Sequence, residues 1–237
     1  MDQKKIEDFY DNFSAHQMKV GVNERIFSLY QRMKKYGLSS SSRILELGSG
    51  IGSMTYLLSK KVKSGLVESV DLSPKSIELL NSAISNPAIK GYAADVVNYT
   101  PKQSDFDFIT LFDVIEHIPI ERHAELFKNL ASIMTEKTTL LINIPNPKYI
   151  EYDRIHQPEV LQVIDQPIPL TAIAKNMEDN GLFMHHFETY SIWVENDYQF
   201  MMIKKDREFK EVKLSERRSI TEKVIHRLSL MWNTALS

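Results

Sequence analysis

Residues 44–52, which read ILELGSGIG, constrain the fold of this chain more than any other stretch. An apolar strand runs directly into three alternate glycines, Gly48, Gly50 and Gly52. Glycines at this spacing let the backbone turn sharply off a strand and leave no Cβ between the loop and a bound molecule. Glu46 adds a carboxylate just before the turn, and no Lys follows in the loop. The segment therefore predicts a cofactor loop suited to a cationic, amino-acid-like group rather than a triphosphate.

The composition places limits on the class of protein. With 237 residues, 43% of them hydrophobic, the chain is long enough for one domain with a sizeable core. A net charge of −2 gives no bulk attraction for nucleic acid, so no nucleic-acid partner is expected. The charged amino terminus lacks a secretory signal and the chain has no Cys, so we expect a cytoplasmic protein without disulfides or thiol nucleophiles.

Strand-like and helix-like segments alternate after residue 39. Residues 44–47, 65–70, 89–93, 106–112 and 138–144 are predicted strands, and residues 54–60, 73–85 and 120–134 are predicted helices. This alternation predicts a parallel, doubly wound α/β sheet. A helix at 170–180, capped by Gly181, and an antiparallel pair at 182–190 and 198–203 close the domain.

Three further regions flank or interrupt this domain of residues 39–205. Residues 1–38 form a predicted helical arm or lid, interrupted near Gly21. Residues 145–169, rich in Pro, Tyr and Gln, have no clean period and are interpreted as a substrate-cap insertion at a strand end. Residues 206–237 contain a predicted amphipathic helix, which suits packing on the domain, a homodimer or a protein partner better than a membrane surface.

Acidic residues follow the second and third strands. Asp71 lies about twenty residues beyond the glycine loop, where an acid can accept both hydrogen bonds of a ribose diol, or simply cap a helix. Asp95 can accept from an adenine amino group with Val96 beside the ring, or it can occupy an ordinary turn. The order of these acids favours a nucleoside-containing cofactor.

In this order, ILELGSGIG, VESVDLS, AADVV and FDFITLFDVIEHI resemble the motifs of class I S-adenosylmethionine-dependent methyltransferases. The resemblance implies a Rossmann-like, seven-stranded, mostly parallel sheet with an antiparallel closing hairpin and helices on both faces. It also implies S-adenosylmethionine as the cofactor. The residues that the resemblance assigns to the cofactor are Glu46, Gly48, Ser49, Gly50, Gly52, Asp71, Leu72, Asp95, Val96, Phe112 and Asp113, with Tyr10 from the arm.

A dehydrogenase also needs a glycine loop and a ribose acid. A dinucleotide fingerprint, however, requires its third glycine where this chain has Ser53, and Glu46 is not part of that fingerprint. The glycine pattern therefore favours S-adenosylmethionine over NAD.

His117, just past the fourth strand in DVIEHI, is the predicted general base, because parallel sheets bind ligands at that edge. Its alternative role is packing or capping of the next helix. A second interpretation takes Asp113, Glu116 and His117 together, since they resemble the cluster by which some small-molecule and RNA-end methyltransferases hold a divalent metal. The main prediction contains no metal.

The insertion supplies candidate acceptor-binding groups, namely Tyr149, Tyr152, His156 and Gln157, and His156 is also a second catalytic candidate. Rings and hydrogen-bonding side chains in this mixture suit a hydroxylated acceptor such as a carbohydrate. We therefore expect a methyltransferase acting on an oxygen of a small acceptor, such as a nucleotide sugar or glycan in surface polysaccharide or natural-product biosynthesis. The alternative from another class is a non-catalytic S-adenosylmethionine-binding subunit.

Overall fold

The computed structural model describes residues 21–161, 164–208 and 219–234. The chain divides into two compact units, Met1–Asp206 and Arg207–Ser237. The first unit contains the glycine loop, the predicted sheet and the insertion. No helix in the described ranges combines the length and apolarity that a membrane span requires.

Seven strands and six α-helices make up the described part of the first unit. The strands are β1 (Arg43–Leu47), β2 (Leu66–Asp71), β3 (Ile89–Ala93), β4 (Phe108–Phe112), β5 (Thr139–Pro145), β6 (Leu182–Tyr190) and β7 (Tyr198–Lys205). The helices are α1 (Glu24–Lys35), α2 (Ser53–Lys61), α3 (Pro74–Ala83), α4 (His123–Ile133), α5 (Pro147–His156) and α6 (Leu170–Glu178). Short 3₁₀ turns occupy Ile115–His117, Ile120–Arg122 and Pro158–Val160. The second unit contains α7 (Ile220–Thr234), which confirms a helix in that segment.

The strands form one sheet in the order β3-β2-β1-β4-β5-β7-β6. The first five strands are parallel, and β7 pairs antiparallel with both β5 and β6. The order reverses at β1, whose Ile44 is in register with Val67 of β2 and Phe108 of β4. A parallel sheet binds ligands at the carboxyl edge of such a reversal point, so the glycine loop after β1 lies at the expected place.

Both faces of the sheet are covered, as predicted. Ile44 packs in one apolar cluster with Leu29 and Met33 of α1, whereas Leu45 packs in the other with Phe127 of α4. Neighbouring residues of a strand point to opposite faces, which is why β1 is apolar on both sides. The predicted Rossmann-like fold with its antiparallel closing hairpin is confirmed.

The first residues of the helices follow the capping signals in the sequence. Ser73 caps α3 by accepting from the Ser76 amide at 3.0 Å, with Pro74 in the first helical position, as the sequence predicts. The helix predicted at 120–134 is shorter, because a 3₁₀ turn at Ile120–Arg122 precedes α4.

The insertion, whose sequence has no clean period, begins with the helix α5. Asn146 caps this helix by accepting from the Lys148 amide at 3.1 Å, and Pro147 begins it. Of its residues only Ile150 and Asp153 are buried. The apolar period that would have indicated a helix is therefore missing.

Candidate active site

The glycine loop turns between β1 and α2 with all three glycines at positive φ: 79° at Gly48, 53° at Gly50 and 92° at Gly52. Non-glycine residues rarely adopt this region. A Cβ on Gly48 would also lie 2.2 Å from Cγ2 of Val114, in the segment that follows β4. The loop therefore packs directly against the start of the DVIEHI segment, and Gly48 is needed for that packing as well as for the turn.

Asp71 ends β2 beside this loop. Its Oδ2 accepts from the Gly50 amide at 2.7 Å and its Oδ1 accepts from the Ser73 amide at 2.9 Å. The Ser49 amide donates to the Val70 carbonyl at 3.0 Å, while the buried Ser49 hydroxyl has no hydrogen-bond partner among the described residues. The predicted ribose acid and the predicted methionine loop are thus joined in one turn, followed by the half-buried Leu72.

Glu46 is buried beneath the loop. Its Oε2 accepts from the Thr55 hydroxyl at 2.6 Å and from the Ser69 hydroxyl at 2.7 Å, which ties β1 to α2 and β2. Burial raises the pKa of Glu46 to about 7, against the lowering effect of these two hydrogen bonds. In the structure, Glu46 therefore connects β1 to α2 and β2 by hydrogen bonds. Its contact with the cofactor stays a prediction.

Asp95 follows β3 and holds a partner that the sequence did not indicate. Its Oδ1 accepts from the Val97 amide at 3.0 Å, and its Oδ2 lies 2.7 Å from Nη1 of Arg122. Val96, beside it, is buried. Arg122 stands 27 residues from Asp95 in the 3₁₀ turn before α4, so no local pattern could have linked the two.

Asp113 lies at the end of β4, after the half-buried Phe112, with a left-handed φ of 57°. Its Oδ1 accepts from the Asn143 side-chain amide at 3.0 Å, and its Oδ2 lies 3.0 Å from Nε of Arg25. Burial raises the pKa of Asp113, and the charge of Arg25 opposes that rise. The Tyr190 hydroxyl extends the network by donating to Oδ1 of the Asn143 side chain at 2.7 Å.

Arg25 reaches this edge from α1. Its Nη1 donates to the Tyr198 hydroxyl at 2.9 Å, and its guanidinium lies 5.7 Å from the ring centroid of Trp193. Aromatic faces attract a cation at such distances. Arg25 belongs to the segment 1–38 that was interpreted as an arm or lid, whereas nothing in the sequence indicated that Asn143, Tyr190 and Tyr198 would join it at this edge.

Glu116 and His117 form a 3₁₀ turn just beyond Val114. Glu116 is 1% exposed, and its Oε2 has no hydrogen-bond partner within the described ranges. Burial, reinforced by the nearby charge of Asp113, raises the pKa of Glu116 well above its usual range. Such a shift favours the neutral carboxyl.

The His117 ring is largely buried, and its two nitrogens have different surroundings. Nδ1 lies 2.5 Å from the Ile164 carbonyl oxygen and 3.2 Å from Oδ1 of Asp165. Nε2 lies 3.9 Å from Oε1 of Glu116, beyond hydrogen-bond distance.

The structure does not support the metal interpretation. Within the described residues no three His, Cys, Asp or Glu side chains are arranged to hold a metal ion. Both oxygens of Asp113 already face Arg25 and Asn143. The grouping of Asp113 with Glu116 and His117 as metal ligands was therefore wrong.

The insertion's candidates lie along α5 and at its end. The ring of Tyr152 lies 6.4 Å from that of Tyr149 and 4.0 Å from that of His156, with near-parallel planes. His156 is exposed, and its Nδ1 lies 2.9 Å from the Tyr152 carbonyl oxygen. Gln157 is the exposed residue that ends α5. Their roles, and the catalytic role of His156, stay predictions, and Tyr10 lies outside the described residues.

A family model described as "Methyltransferase domain" matches residues 15–186, more than two thirds of the chain. The chain belongs to this methyltransferase family. The predicted class I S-adenosylmethionine-dependent methyltransferase is thereby confirmed, and S-adenosylmethionine is its cofactor.

Among curated proteins, trans-aconitate 2-methyltransferase of Escherichia fergusonii is 28% identical over 123 residues, which cover 52% of this chain and 47% of that protein. The chain therefore spans about half the length of the curated relatives it matches. Two solved methyltransferases share the fold. Magnesium protoporphyrin IX methyltransferase from Synechocystis PCC 6803, with bound SAH, has a TM-score of 0.67 at 16% identity and covers 87% of this chain and all of that one. An S-adenosylmethionine-dependent methyltransferase from Clostridium acetobutylicum has a TM-score of 0.63 at 14% identity and covers 84% and 99%.

Proposed function

We propose that this methyltransferase moves the methyl group of S-adenosylmethionine to an oxygen of a small hydroxylated acceptor, with His117 as general base. The observation that carries the proposal is the direct packing of the glycine loop on the DVIEHI segment through Gly48 and Val114. That packing brings the methyl donor's loop and the imidazole to one sheet edge. Methyl transfer requires this proximity between donor, acceptor and base.

The cofactor's parts match the groups that surround the loop. Asp71 ends β2 beside the loop, where its two carboxylate oxygens accept from the Gly50 and Ser73 amides, and a carboxylate at this place is the group that would accept from a ribose hydroxyl. The buried Ser49 hydroxyl offers a polar contact to the methionine part. Asp95 and Val96 would border the adenine, and Phe112 and Asp113 would face the cofactor from β4.

The reaction needs little chemistry from the protein. A lone pair of the acceptor oxygen attacks the methyl carbon, the carbon–sulfur bond breaks, and its electron pair goes to sulfur to give S-adenosylhomocysteine. The hydroxyl proton goes to the imidazole of His117. The sulfonium is already activated, so the protein's part is to orient the two molecules and to accept one proton.

Charges at the acceptor edge favour an acceptor whose reacting group is uncharged. Two acids surround His117: Asp165 lies 3.2 Å from its Nδ1, and the charge of Asp113 also acts on the ring. The nearby guanidinium of Arg25 is paired with Asp113. A polycarboxylate such as the trans-aconitate named for the relatives would meet these acids unfavourably. A sugar hydroxyl has no such penalty at the reacting group, because in a nucleotide sugar the charge lies on the diphosphate, away from the sugar ring, which would stack on the exposed rings of α5.

Calorimetric titration with S-adenosylmethionine tests the cofactor part. We expect Asp71→Ala to weaken binding about tenfold or more, because hydrogen bonds to a charged partner are lost. Asp179→Ala is the matched control, since it removes an exposed acid of α6 that pairs with Lys175. Equal affinity in Asp71→Ala and wild type would remove Asp71 from the cofactor site.

A release assay for S-adenosylhomocysteine tests the acceptor part. Wild-type protein is incubated with UDP-glucose, dTDP-glucose, a methyl glucoside and trans-aconitate, and we expect turnover on the hydroxylated compounds only. Turnover on trans-aconitate alone would overturn the charge argument. Cofactor binding without turnover on any compound would favour the non-catalytic subunit.

A further inference from the structure

The loop between β6 and β7 presents an exposed tryptophan at the carboxyl edge of the sheet. Trp193 is 56% exposed, although tryptophan side chains are on average highly buried. The strand that follows the loop, β7, begins at Tyr198, which is in register with Pro145 at the end of β5. The loop therefore lies beside the ends of the parallel strands, where the insertion also begins.

A buried acid fixes the conformation of this loop, which comprises residues 191–197. Asp197 is 1% exposed. Its Oδ1 accepts from the Ile192 amide at 2.9 Å, and its Oδ2 accepts from the amides of Trp193 at 2.9 Å and Val194 at 3.2 Å. Hydrogen bonds to a carboxylate are stronger than those between neutral groups. The backbone that carries the indole is therefore held in one conformation.

The loop is also joined to the start of α5. The Asn146 amide donates to the Asp197 carbonyl at 2.7 Å, and the Asn146 side chain donates to the Asn196 carbonyl at 2.9 Å. The Asn196 amide in turn donates to the Ser191 hydroxyl at 2.9 Å. Trp193 and the rings of α5 therefore belong to two segments that are connected by hydrogen bonds at the same edge.

Arg25 connects the indole to the centre of the site. Its guanidinium lies 5.7 Å from the ring centroid of Trp193, and its Nε lies 3.0 Å from Oδ2 of Asp113. The Tyr198 ring also contacts the indole, with the two centroids 5.8 Å apart and the planes at 62°. The indole is thus held by a cation and by a second ring, and more than half of the residue stays exposed.

The indole has a more accessible face than the rings of α5. The Tyr152 ring stacks on the His156 ring with centroids 4.0 Å apart and planes at 17°, so one face of Tyr152 is occupied. In the described part of the chain, no ring stacks in parallel on Trp193, since Tyr198 meets it at a steep angle. A ligand at this edge therefore meets the indole as its largest exposed aromatic surface.

We propose that the indole of Trp193 binds the sugar ring of the acceptor by stacking, together with the rings of α5, and that Asp197 is its positioning residue. This inference rests on the proposed function, in which the acceptor is a hydroxylated sugar. The C–H groups on one face of a pyranose are slightly positive, and the face of an aromatic ring is negative. Stacking therefore orients the sugar and leaves its hydroxyls directed toward polar groups of the site.

The kinetic test uses whichever compound of the acceptor panel is turned over. Trp193→Ala should raise KM for the acceptor about tenfold, with kcat and KM for S-adenosylmethionine within about twofold, because stacking binds the ground state and the transition state alike. Trp193→Phe keeps a smaller ring and should raise KM about threefold. Phe187→Ala is the control, because it removes an exposed aromatic side chain from β6 of the same hairpin. An unchanged KM in Trp193→Ala would overturn the proposal.

A double variant tests the role of Asp197. Asp197→Asn keeps the side chain's shape but removes the charge that three amides share. If Asp197 acts through the indole, this change raises KM for the acceptor in wild type and has no further effect in Trp193→Ala. A merely structural acid would change both backgrounds by the same factor, which would contradict a positioning role. Equal S-adenosylmethionine affinity by calorimetry confirms that each variant is folded.

A fluorescence measurement needs no turnover. The chain has two tryptophans, so in Trp232→Phe the emission comes from Trp193 alone. With S-adenosylhomocysteine present, a methyl glucoside should shift this emission to shorter wavelength in a saturable way, because the sugar replaces water on the indole. UDP without a sugar and trans-aconitate should leave the emission unchanged. An equal shift with UDP alone would assign the indole to the nucleotide base and overturn the proposal.

The two measurements separate this inference from the proposed function. An emission shift with the glucoside but no turnover on any compound would count against the proposed methyl transfer alone. Turnover of a hydroxylated compound without an emission shift, and with an unchanged KM in Trp193→Ala, would overturn the role of Trp193 alone. The absence of a shift with every compound of the panel would likewise overturn that role.

Discussion

The two halves of the site are built in different ways. On the cofactor side, the glycine loop and Asp71 are joined by backbone amides within residues 48–73. On the proposed acceptor side, His117 is held by the insertion, and Asp113, between the two sides, is held by Arg25 of α1 and Asn143 of β5. The first half is local in sequence and the second is assembled from distant segments.

One part of the site therefore depends on the backbone of the fold, and the other depends on individual side chains of this chain. A turn made of backbone groups binds a cofactor in much the same way whatever surrounds it. The acceptor half depends on individual side chains, which other chains with this fold are free to change. Variants on the cofactor side should therefore damage folding and cofactor binding together, whereas those on the acceptor side should affect separate contacts.

The largest effect is expected for Gly48→Ala. The new Cβ would lie 2.2 Å from Cγ2 of Val114 at a φ of 79°, so both overpacking and backbone strain oppose it. We expect the free energy of unfolding, measured by urea denaturation, to fall by about 4 kcal/mol. Affinity for S-adenosylmethionine should be lost with it.

Gly181→Ala is the matched control, because Gly181 also has a positive φ, 63°, but no atom lies within 4 Å of its Cβ position. In Gly181→Ala only backbone strain should lower the free energy of unfolding, by about 1 kcal/mol. The double variant Gly48→Ala/Val114→Ala should recover part of the lost stability. Equal costs at the two glycines would show that the contact with Val114 is unimportant.

A second expected effect concerns the dependence of stability on pH. Because burial raises the pKa of Glu46 from 4.5 to about 7, the folded protein holds a proton that the unfolded chain has released. This stabilisation is complete below about pH 4.5 and is lost as pH rises through about 7. Glu46→Gln cannot titrate and should lack that loss.

Urea denaturation at about pH 5 and about pH 8 measures how much stability the titration of Glu46 removes. From pH 5 to pH 8, the free energy of unfolding of wild type should fall by up to about 3 kcal/mol more than that of Glu46→Gln. Gln keeps an oxygen that can accept from Thr55 and Ser69. Parallel pH profiles would show that Glu46 is ionised in the fold despite its burial.

The sheet and the turn of the glycine loop could be predicted because their signals are local. A strand followed by alternate glycines has few possible conformations, and Ser73 with Pro74 indicates a helix start within two residues. Apolar runs then gave the strands of a sheet that is buried on both faces. Even here, nothing in the sequence revealed that Gly48 is needed to accommodate Val114.

The acceptor half was only partly predictable. His117 and Asp113 were proposed because they follow a strong strand, and their roles stay predictions. Their partners are far away in sequence: Arg25 lies 88 residues from Asp113, and Asp165 lies 48 residues from His117. Such pairings depend on topology rather than on spacing. The metal interpretation was wrong for the same reason, since three neighbouring ligand types in the sequence did not show that Arg25 and Asn143 occupy Asp113.

The smallest effect is expected from breaking the ion pair between Arg25 and Asp113, which are 88 residues apart in the sequence. Arg25→Ala removes the cation that faces Asp113 and leaves a buried carboxylate without its ion pair. Since the Arg25 side chain is a quarter exposed, water can screen part of the remaining charge, and we expect unfolding free energy to fall by about 2 kcal/mol. Urea denaturation at neutral pH measures this loss.

The double variant Arg25→Ala/Asp113→Asn tests the cause of that loss. In Asp113→Asn no carboxylate is left for Arg25 to neutralise, so Arg25→Ala should lower the free energy of unfolding less in that background than in wild type. The losses of the two single variants should therefore add up to more than the loss of the double variant. Strict additivity would instead mean that Arg25 stabilises the edge through Tyr198 and Trp193. In that case the acceptor half would be held by α1 through its aromatic contacts rather than through charge.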